Sequence, residues 1–184
     1  MSLTDINIRE KDFHNKLQSK KKGRFENIFY KAIYNCSEDF FKYLKNYAKN
    51  SFILDYGCGV GSFVKKVAEY NPEKITGIDI SEVSIEKAKK NTRELKIETE
   101  FKVENCEKTS FHDNSFDVVY GSGIIHHLQI EKSLDEILRI LKPDGNLLFI
   151  EPLGTNPIIN LYRKLTPKAR SIDEHPLVKK DLDY

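Results

Sequence analysis

Closely spaced glycines, two carboxylates and a pair of adjacent histidines are the residues of this sequence whose types and spacing could do chemistry. Asp55-Tyr56-Gly57-Cys58-Gly59-Val60-Gly61 follows the apolar run Phe52-Ile53-Leu54 and reads as a strand-to-helix turn. Gly57 and Gly59 let the backbone bend sharply and approach a ligand, while Gly61 lets the next helix pack close. Asp79 ends a second run, Lys74-Ile75-Thr76-Gly77-Ile78. It stands about 20 residues past the glycines, where a carboxylate accepts hydroxyl hydrogens from a ribose. Together these features imply an adenosine-containing cofactor. A dinucleotide site reads G-x-G-x-x-G and aims a helix N-terminus at pyrophosphate. This chain has the tighter G-x-G-x-G, with Asp55 just ahead of the first glycine. A carboxylate there repels pyrophosphate but suits a ligand with an ammonium group and a sulfonium. S-adenosylmethionine carries both, and the same spacing opposes a dehydrogenase.

The elements that must position these residues alternate. Strands are expected at Phe52-Ile53-Leu54-Asp55-Tyr56, from Lys74 to Asp79, at the edge-like Glu98 to Val103, at Phe116-Asp117-Val118-Val119-Tyr120, and from Asn146 to Glu151. Helices are expected from Ser62 to Tyr70, from the Ser81 cap to about Leu95, and over a segment presenting Ile130, Leu134, Ile137, Leu138 and Leu141 on one face. Pro143-Asp144-Gly145 ends that last helix. The rhythm predicts an α/β fold, a doubly wound, Rossmann-like sheet of five mainly parallel strands with helices on both faces. Ligands of such sheets bind at the carboxyl ends of the strands. The chain divides into a helical arm or lid over residues 1–50, a cofactor domain over 51–152 and a tail over 153–184. Residues 1 to 24 are polar and basic. Phe25 to Asn50 is helical in pattern, with Ser37 as an N-cap.

Composition excludes several classes. With 184 residues, 39% of them hydrophobic and 32% charged, the chain is one ordinary globular domain. No apolar run approaches the length of a bilayer span, and the N-terminus lacks a secretory layout, so a cytoplasmic location is expected. A net charge of +2 gives no field for nucleic acid. The basic run Lys20-Lys21-Lys22-Gly23-Arg24 reads as a solvated loop. Cys36, Cys58 and Cys106 have neither disulfide nor zinc spacing.

At these motifs the chain resembles the class I S-adenosylmethionine-dependent methyltransferases, in the branch that includes ubiquinone and menaquinone C-methyltransferases. The resemblance runs from about Phe52 to Pro152. It rests on Ile53 to Gly61, on Gly77-Ile78-Asp79-Ile80-Ser81, on Phe116 to Leu128, and on Leu138-Arg139-Ile140-Leu141-Lys142-Pro143-Asp144-Gly145. It implies that Asp55 and the Gly57 backbone hold the methionine amino group, that Asp79 holds the ribose and that Ile80 packs on adenine. Cys58, Gly59, Gly61 and Gly121 belong to the same cofactor site. Asn105, Cys106 and Glu107 stand where the family usually has Asp-Ala-Glu. Asn105 is thus an uncharged departure, and Cys106 contributes a backbone N–H rather than a reactive thiol.

His126 and His127 follow the fourth strand, where an acceptor approaches the methyl group. One is a candidate general base, and the alternative is that His127 caps or packs while His126 faces solvent. Neighbouring residues on a helix point about 100° apart, so no shared metal is expected. His14, His112 and His175 look scattered. The resemblance places Arg163, Arg170, Asp173, Glu174 and His175 in a segment that can cover a small-molecule or lipid-like acceptor. The family's sheet usually ends with two more strands, and the segment after Pro152 shows no alternating run. The chain is therefore expected to lack them, leaving the fifth-strand edge for a homo-oligomeric contact. The same feature motivates an alternative reading, a non-catalytic or incomplete cofactor-binding module needing a partner.

Overall fold

The computed structural model of the chain describes residues 3–19, 34–166, 171 and 173–182. Its centre is a sheet in the order β3-β2-β1-β4-β5, every neighbouring pair parallel. The strands are β1 (Phe52–Tyr56), β2 (Lys74–Asp79), β3 (Glu98–Val103), β4 (Phe116–Ser122) and β5 (Leu141–Ile150). The helices are α1 (Asp5–Ser19), α2 (Tyr34–Ala48), α3 (Val64–Ala68), α4 (Glu82–Thr92), α5 (Ile130–Ile140) and α6 (Pro157–Leu165). The expected doubly wound sheet is present. A strand's side chains alternate between its two faces, and β1 shows the consequence. Ile53 packs with Phe40, Leu44, Val64 and Ile85 of α2, α3 and α4. Leu54 and Tyr56 pack with Ile137 and Ile140 of α5 on the other face. Each fully buried Ile contributes about 1.5–3 kcal/mol.

Several boundaries depart from the expectations. The polar first segment forms α1, because Thr4 and Asn7 cap it reciprocally. The Asn7 N–H donates to Thr4 Oγ1 at 3.2 Å, and the Thr4 N–H to Asn7 Oδ1 at 3.1 Å. Ser37 is not an N-cap, since α2 has already begun at Tyr34. Ser81 does cap α4, accepting from the Ser84 N–H at 3.1 Å. α5 stops at Ile140, Leu138 points outward at 58% exposure, and Leu141 already pairs with Phe116. The next regular pair is Val118 with Asn146, so Lys142-Pro143-Asp144-Gly145 bulges within β5 rather than ending a helix. The basic run at 20–24 and Arg170 lie outside the described residues, as do the side chains of Cys36, Ile158, Ile159 and Tyr162. No described helix is long and apolar enough to cross a membrane.

Candidate active site

A cavity of about 400 Å³ opens at the carboxyl ends of β1, β2 and β4 and is roofed by α1. That volume lies within the range of small-ligand pockets. Asp55, Gly57, Cys58, Gly59, Asp79, Ile80, Asn105, Cys106 and His127 all line it. The sheet register explains the gathering. Asp55 is level with Gly77 of β2 and Tyr120 of β4, so the turn after β1 lies between two strand ends.

Asp55 is buried, and neither its Oδ2 nor the neighbouring Tyr120 hydroxyl makes a well-aligned hydrogen bond, although Tyr120 acts on the carboxyl. Burial pushes the Asp55 carboxyl up to about 7, with Tyr120 working against the rise and the charge of Asp79 adding to it. Gly57 and Gly59 have φ of +73° and +53°. A Cβ on Gly57 would stand 2.5 Å from Ile124, so this turn requires glycine twice over, by torsion and by space. Asp79 braces the turn: its Oδ2 accepts the Gly59 N–H at 2.9 Å and its Oδ1 the Ser81 N–H at 2.8 Å. Burial raises its pKa despite these bonds. Asn105 donates to Asn7 Oδ1 of α1 at 3.1 Å and accepts the Glu107 N–H at 3.0 Å. The buried thiols of Cys58 and Cys106 are pushed well up by desolvation, which makes them poor nucleophiles.

Gly61, Glu107, Gly121 and His126 stand outside the cavity lining. Gly61 lets Ala88 of α4 approach, where a Cβ would lie 3.3 Å away. Glu107 accepts the Gln129 N–H at 2.9 Å and a bond from Asn7 at 3.3 Å, fixing the starts of α5 and α1. Gly121 leaves room for the Phe149 ring, which a Cβ would meet at 2.5 Å. His126 turns its Nδ1 to Glu151 at 2.7 Å, and the other oxygen of Glu151 accepts the Ile124 and Ile125 N–H groups at 2.8 and 2.9 Å. His126 therefore clamps the loop after β4 and does not face solvent as the packing alternative expected: it is 6% exposed, held inward by Glu151. The tail lies against it, because the His175 N–H donates to the His126 carbonyl at 3.0 Å. Arg163 pairs with Glu174 at 2.8 Å and Asp173 with Arg9 of α1 at 2.8 Å.

His127 lies at the other end of the cavity with Glu10 and His14 of α1, neither of which was singled out from the sequence. Glu10 is 5% exposed and His127 7%. Burial would raise the Glu10 pKa, but His127, His14 and Ser171 together hold it well below the ordinary carboxylate range. Burial lowers the pKa of His127, partly offset by Glu10. The signal available was the i, i+4 spacing of Glu10 and His14, which places both on one helix face. His126 and His127 do not splay as α-helical neighbours would. They occupy a 3₁₀ turn, with ring centroids 4.1 Å apart.

Residues 54–149 match the family described as a methyltransferase domain, which is more than half of the chain. The chain belongs to that family. The family's methyl donor is S-adenosylmethionine. The chain is 38% identical over 105 residues to a demethylmenaquinone methyltransferase of Bacteroides fragilis, covering 54% of this chain and 42% of that one. It is 34% identical over 117 residues to phosphoethanolamine N-methyltransferase 3 of Arabidopsis thaliana, covering 61% and 24%. The chain thus spans well under half the length of these curated relatives. A solved S-adenosylmethionine-dependent methyltransferase from Methanosarcina mazei has 29% identity and a TM-score of 0.61, covering 74% of this chain and 78% of that one. A geranyl diphosphate C-methyltransferase from Streptomyces coelicolor shares the fold at a TM-score of 0.71 and 12% identity, covering 98% and 77%.

The cavity fits the donor. The lone buried oxygen of Asp55 is a place for an ammonium group, which would restore its missing partner. A Cβ on Gly59 would meet no atom within 4 Å, so the turn leaves open space beside it.

Proposed function

We propose that this chain transfers the methyl group of S-adenosylmethionine to a small-molecule or lipid-like acceptor. The unpartnered Asp55 carboxylate oxygen, in a glycine-walled cavity braced by Asp79, carries the reading. Asp55 and the Gly57 backbone hold the amino-acid end of the donor, Asp79 the ribose, and Ile80, Asn105 and the Cys106 backbone the adenine. When bound, S-adenosylmethionine supplies a methyl group on a sulfonium, a strong leaving group for in-line displacement. The protein's part is to position the reactants and exclude water. α1 roofs the cavity, and Arg9 ties it to Asp173 of the tail. Of the two candidate catalytic histidines, His127 reaches the cavity and is the group assigned to the acceptor, while His126 positions its loop.

The acceptor class is supported by the relatives, whose names specify demethylmenaquinone, sterols and phosphoethanolamine. A cytoplasmic location accords with two buried free cysteines, Cys58 and Cys106. Pairing of two copies through β5 is also proposed.

Calorimetry with S-adenosylhomocysteine and with NAD is the first test, and the expected result is binding of the former alone. Preference for NAD, or no binding of either, would sink the proposal. Binding together with failure to label any acceptor from methyl-labelled donor would favour the non-catalytic module.

A further inference from the structure

Three potential metal ligands converge at the acceptor end of the cavity. Glu10, His14 and His127 each bring one donor atom, all within 4.8 Å of one another. Glu10 Oε2 is 3.1 Å from His127 Nδ1 and 3.5 Å from His14 Nε2. Donor atoms bound at roughly 2.1 Å to one cation stand about 3.0 Å apart in cis-octahedral geometry and about 3.4 Å apart in a tetrahedron. The first two separations match that spacing. The third edge needs only a modest turn of His14, whose side chain is 25% exposed.

Glu10 Oε2 and His127 Nδ1 are buried, and neither has an aligned hydrogen-bond partner. A carboxylate oxygen and a ring nitrogen without an aligned partner, on two side chains each less than a tenth exposed, are in a costly state. Other groups already hold the remaining atoms in place. Ser171 donates to Glu10 Oε1, and the His126 ring lies against that of His127, tilted by 39°. A second cluster of His126, His127 and Glu174 also exists. It is the poorer candidate, because Glu151 engages His126 and Arg163 engages Glu174.

We propose that Glu10, His14 and His127 form a binding site for a divalent first-row transition cation of the zinc class. Two imidazoles and one carboxylate suit such ions better than magnesium or calcium. This departs from the sequence reading, which expected no metal because His126 and His127 would point apart on a helix and His14 stands far off in the chain. Three protein ligands leave an open coordination position facing the cavity. Resting on the methyl-transfer reading, that position takes a hydroxyl oxygen of the acceptor. A cation held there would lower the pKa of such a hydroxyl, whose proton would pass to water, leaving the oxygen as the nucleophile. His127 then acts on the acceptor as a ligand of the cation.

The test uses the full chain stripped with chelator. Zn²⁺ is titrated by calorimetry and Co²⁺ by its ligand-field absorption, with S-adenosylhomocysteine titrated into the same samples. One equivalent of either cation is expected. His14→Ala and Glu10→Gln should each weaken Zn²⁺ by more than the 10–100-fold typical of second-sphere changes. S-adenosylhomocysteine affinity and near-ultraviolet dichroism report whether the variants fold, and if Glu10→Gln does not, His14→Ala decides alone. No binding of either cation up to about 1 mM, or equal binding by His14→Ala, would overturn the metal site. S-adenosylhomocysteine binding without cation binding defeats this proposal only; the reverse defeats the methyl-transfer reading and with it the acceptor role, leaving the cation site standing.

Discussion

The carboxylate of Asp79 accepts the Gly59 N–H at 2.9 Å, joining the tip of β2 to the glycine turn that follows β1. Its other oxygen accepts the Ser81 N–H at the start of α4. One side chain thus shapes the turn and faces the cavity. Asp79→Ala should weaken S-adenosylhomocysteine binding by about 1.5–3 kcal/mol, the range for hydrogen bonds to a charged group. It should also lower the melting temperature, because two backbone donors lose their acceptor. Calorimetry showing unchanged affinity in a folded variant would remove Asp79 from the ribose role.

Asp55 gives a pH dependence of known sign. Its carboxyl titrates at about 7 in the fold against 3.8 without it. Below 3.8 both states are protonated; between the two values the unfolded chain ionises and the folded one does not. Its contribution to stability is therefore present at low pH, falls across that window, and levels off above about 7. Asp55→Asn should flatten that part of the pH profile in urea unfolding. An ammonium ligand needs the carboxylate, so S-adenosylhomocysteine binding at pH 6 should release a proton. Calorimetry in buffers of different ionisation enthalpy measures that release, and none would mean that Asp55 is not the partner.

The two histidines should separate by phenotype. His127→Ala should lower kcat by roughly 10²-fold while leaving S-adenosylhomocysteine affinity nearly unchanged. Undiminished turnover by this variant would assign His127 to packing.

Glu151→Ala strips His126 of its partner and leaves the Ile124 and Ile125 N–H groups without acceptors. Lost stability of about 2–3 kcal/mol in denaturant unfolding is expected, the scale for orphaned buried groups. Glu151→Gln should recover part of it, since an amide oxygen can still accept. Equal loss in both variants would point to the contact between Glu151 and His126 Nδ1 instead.

β5 ends the sheet among the described residues, and Leu147 on it is 41% exposed. An open strand edge with apolar residues is a template for pairing. Size-exclusion chromatography with light scattering should show a dimer that dissociates when Leu147→Lys is introduced. A monomeric wild type with slow amide exchange across 146–150 would show that the edge is protected in some other way.

The fold was largely legible because local signals agreed. The bounds of β1 and β2 fall where the apolar runs do and those of β3 where the edge-like segment does, and Ser81 caps α4 as its position before Glu82 implies. At β5 they disagreed: a proline and a glycine looked like a stop, yet pairing with β4 on both sides carries the strand past them as a bulge. Sheet register, a non-local property, overrode turn chemistry there.

The glycine-and-carboxylate end of the cavity was legible in the sequence itself. Asp55, the glycines and Asp79 lie on consecutive strand-turn-helix units, so short-range geometry brings them together. Only the tertiary structure decided the end lined by Glu10, His14 and His127. Glu10 and His14 are more than 100 residues from His127 in the chain, and nothing local marks them as neighbours. They meet because α1 packs on α4 and is held by Asn7 to Glu107 and by Arg9 to Asp173. The same docking turns an ordinary i, i+4 pair on a polar helix into one side of a buried cluster. Contacts between segments so distant along the chain follow from how the whole molecule buries its surface, and no stretch of sequence records them by itself.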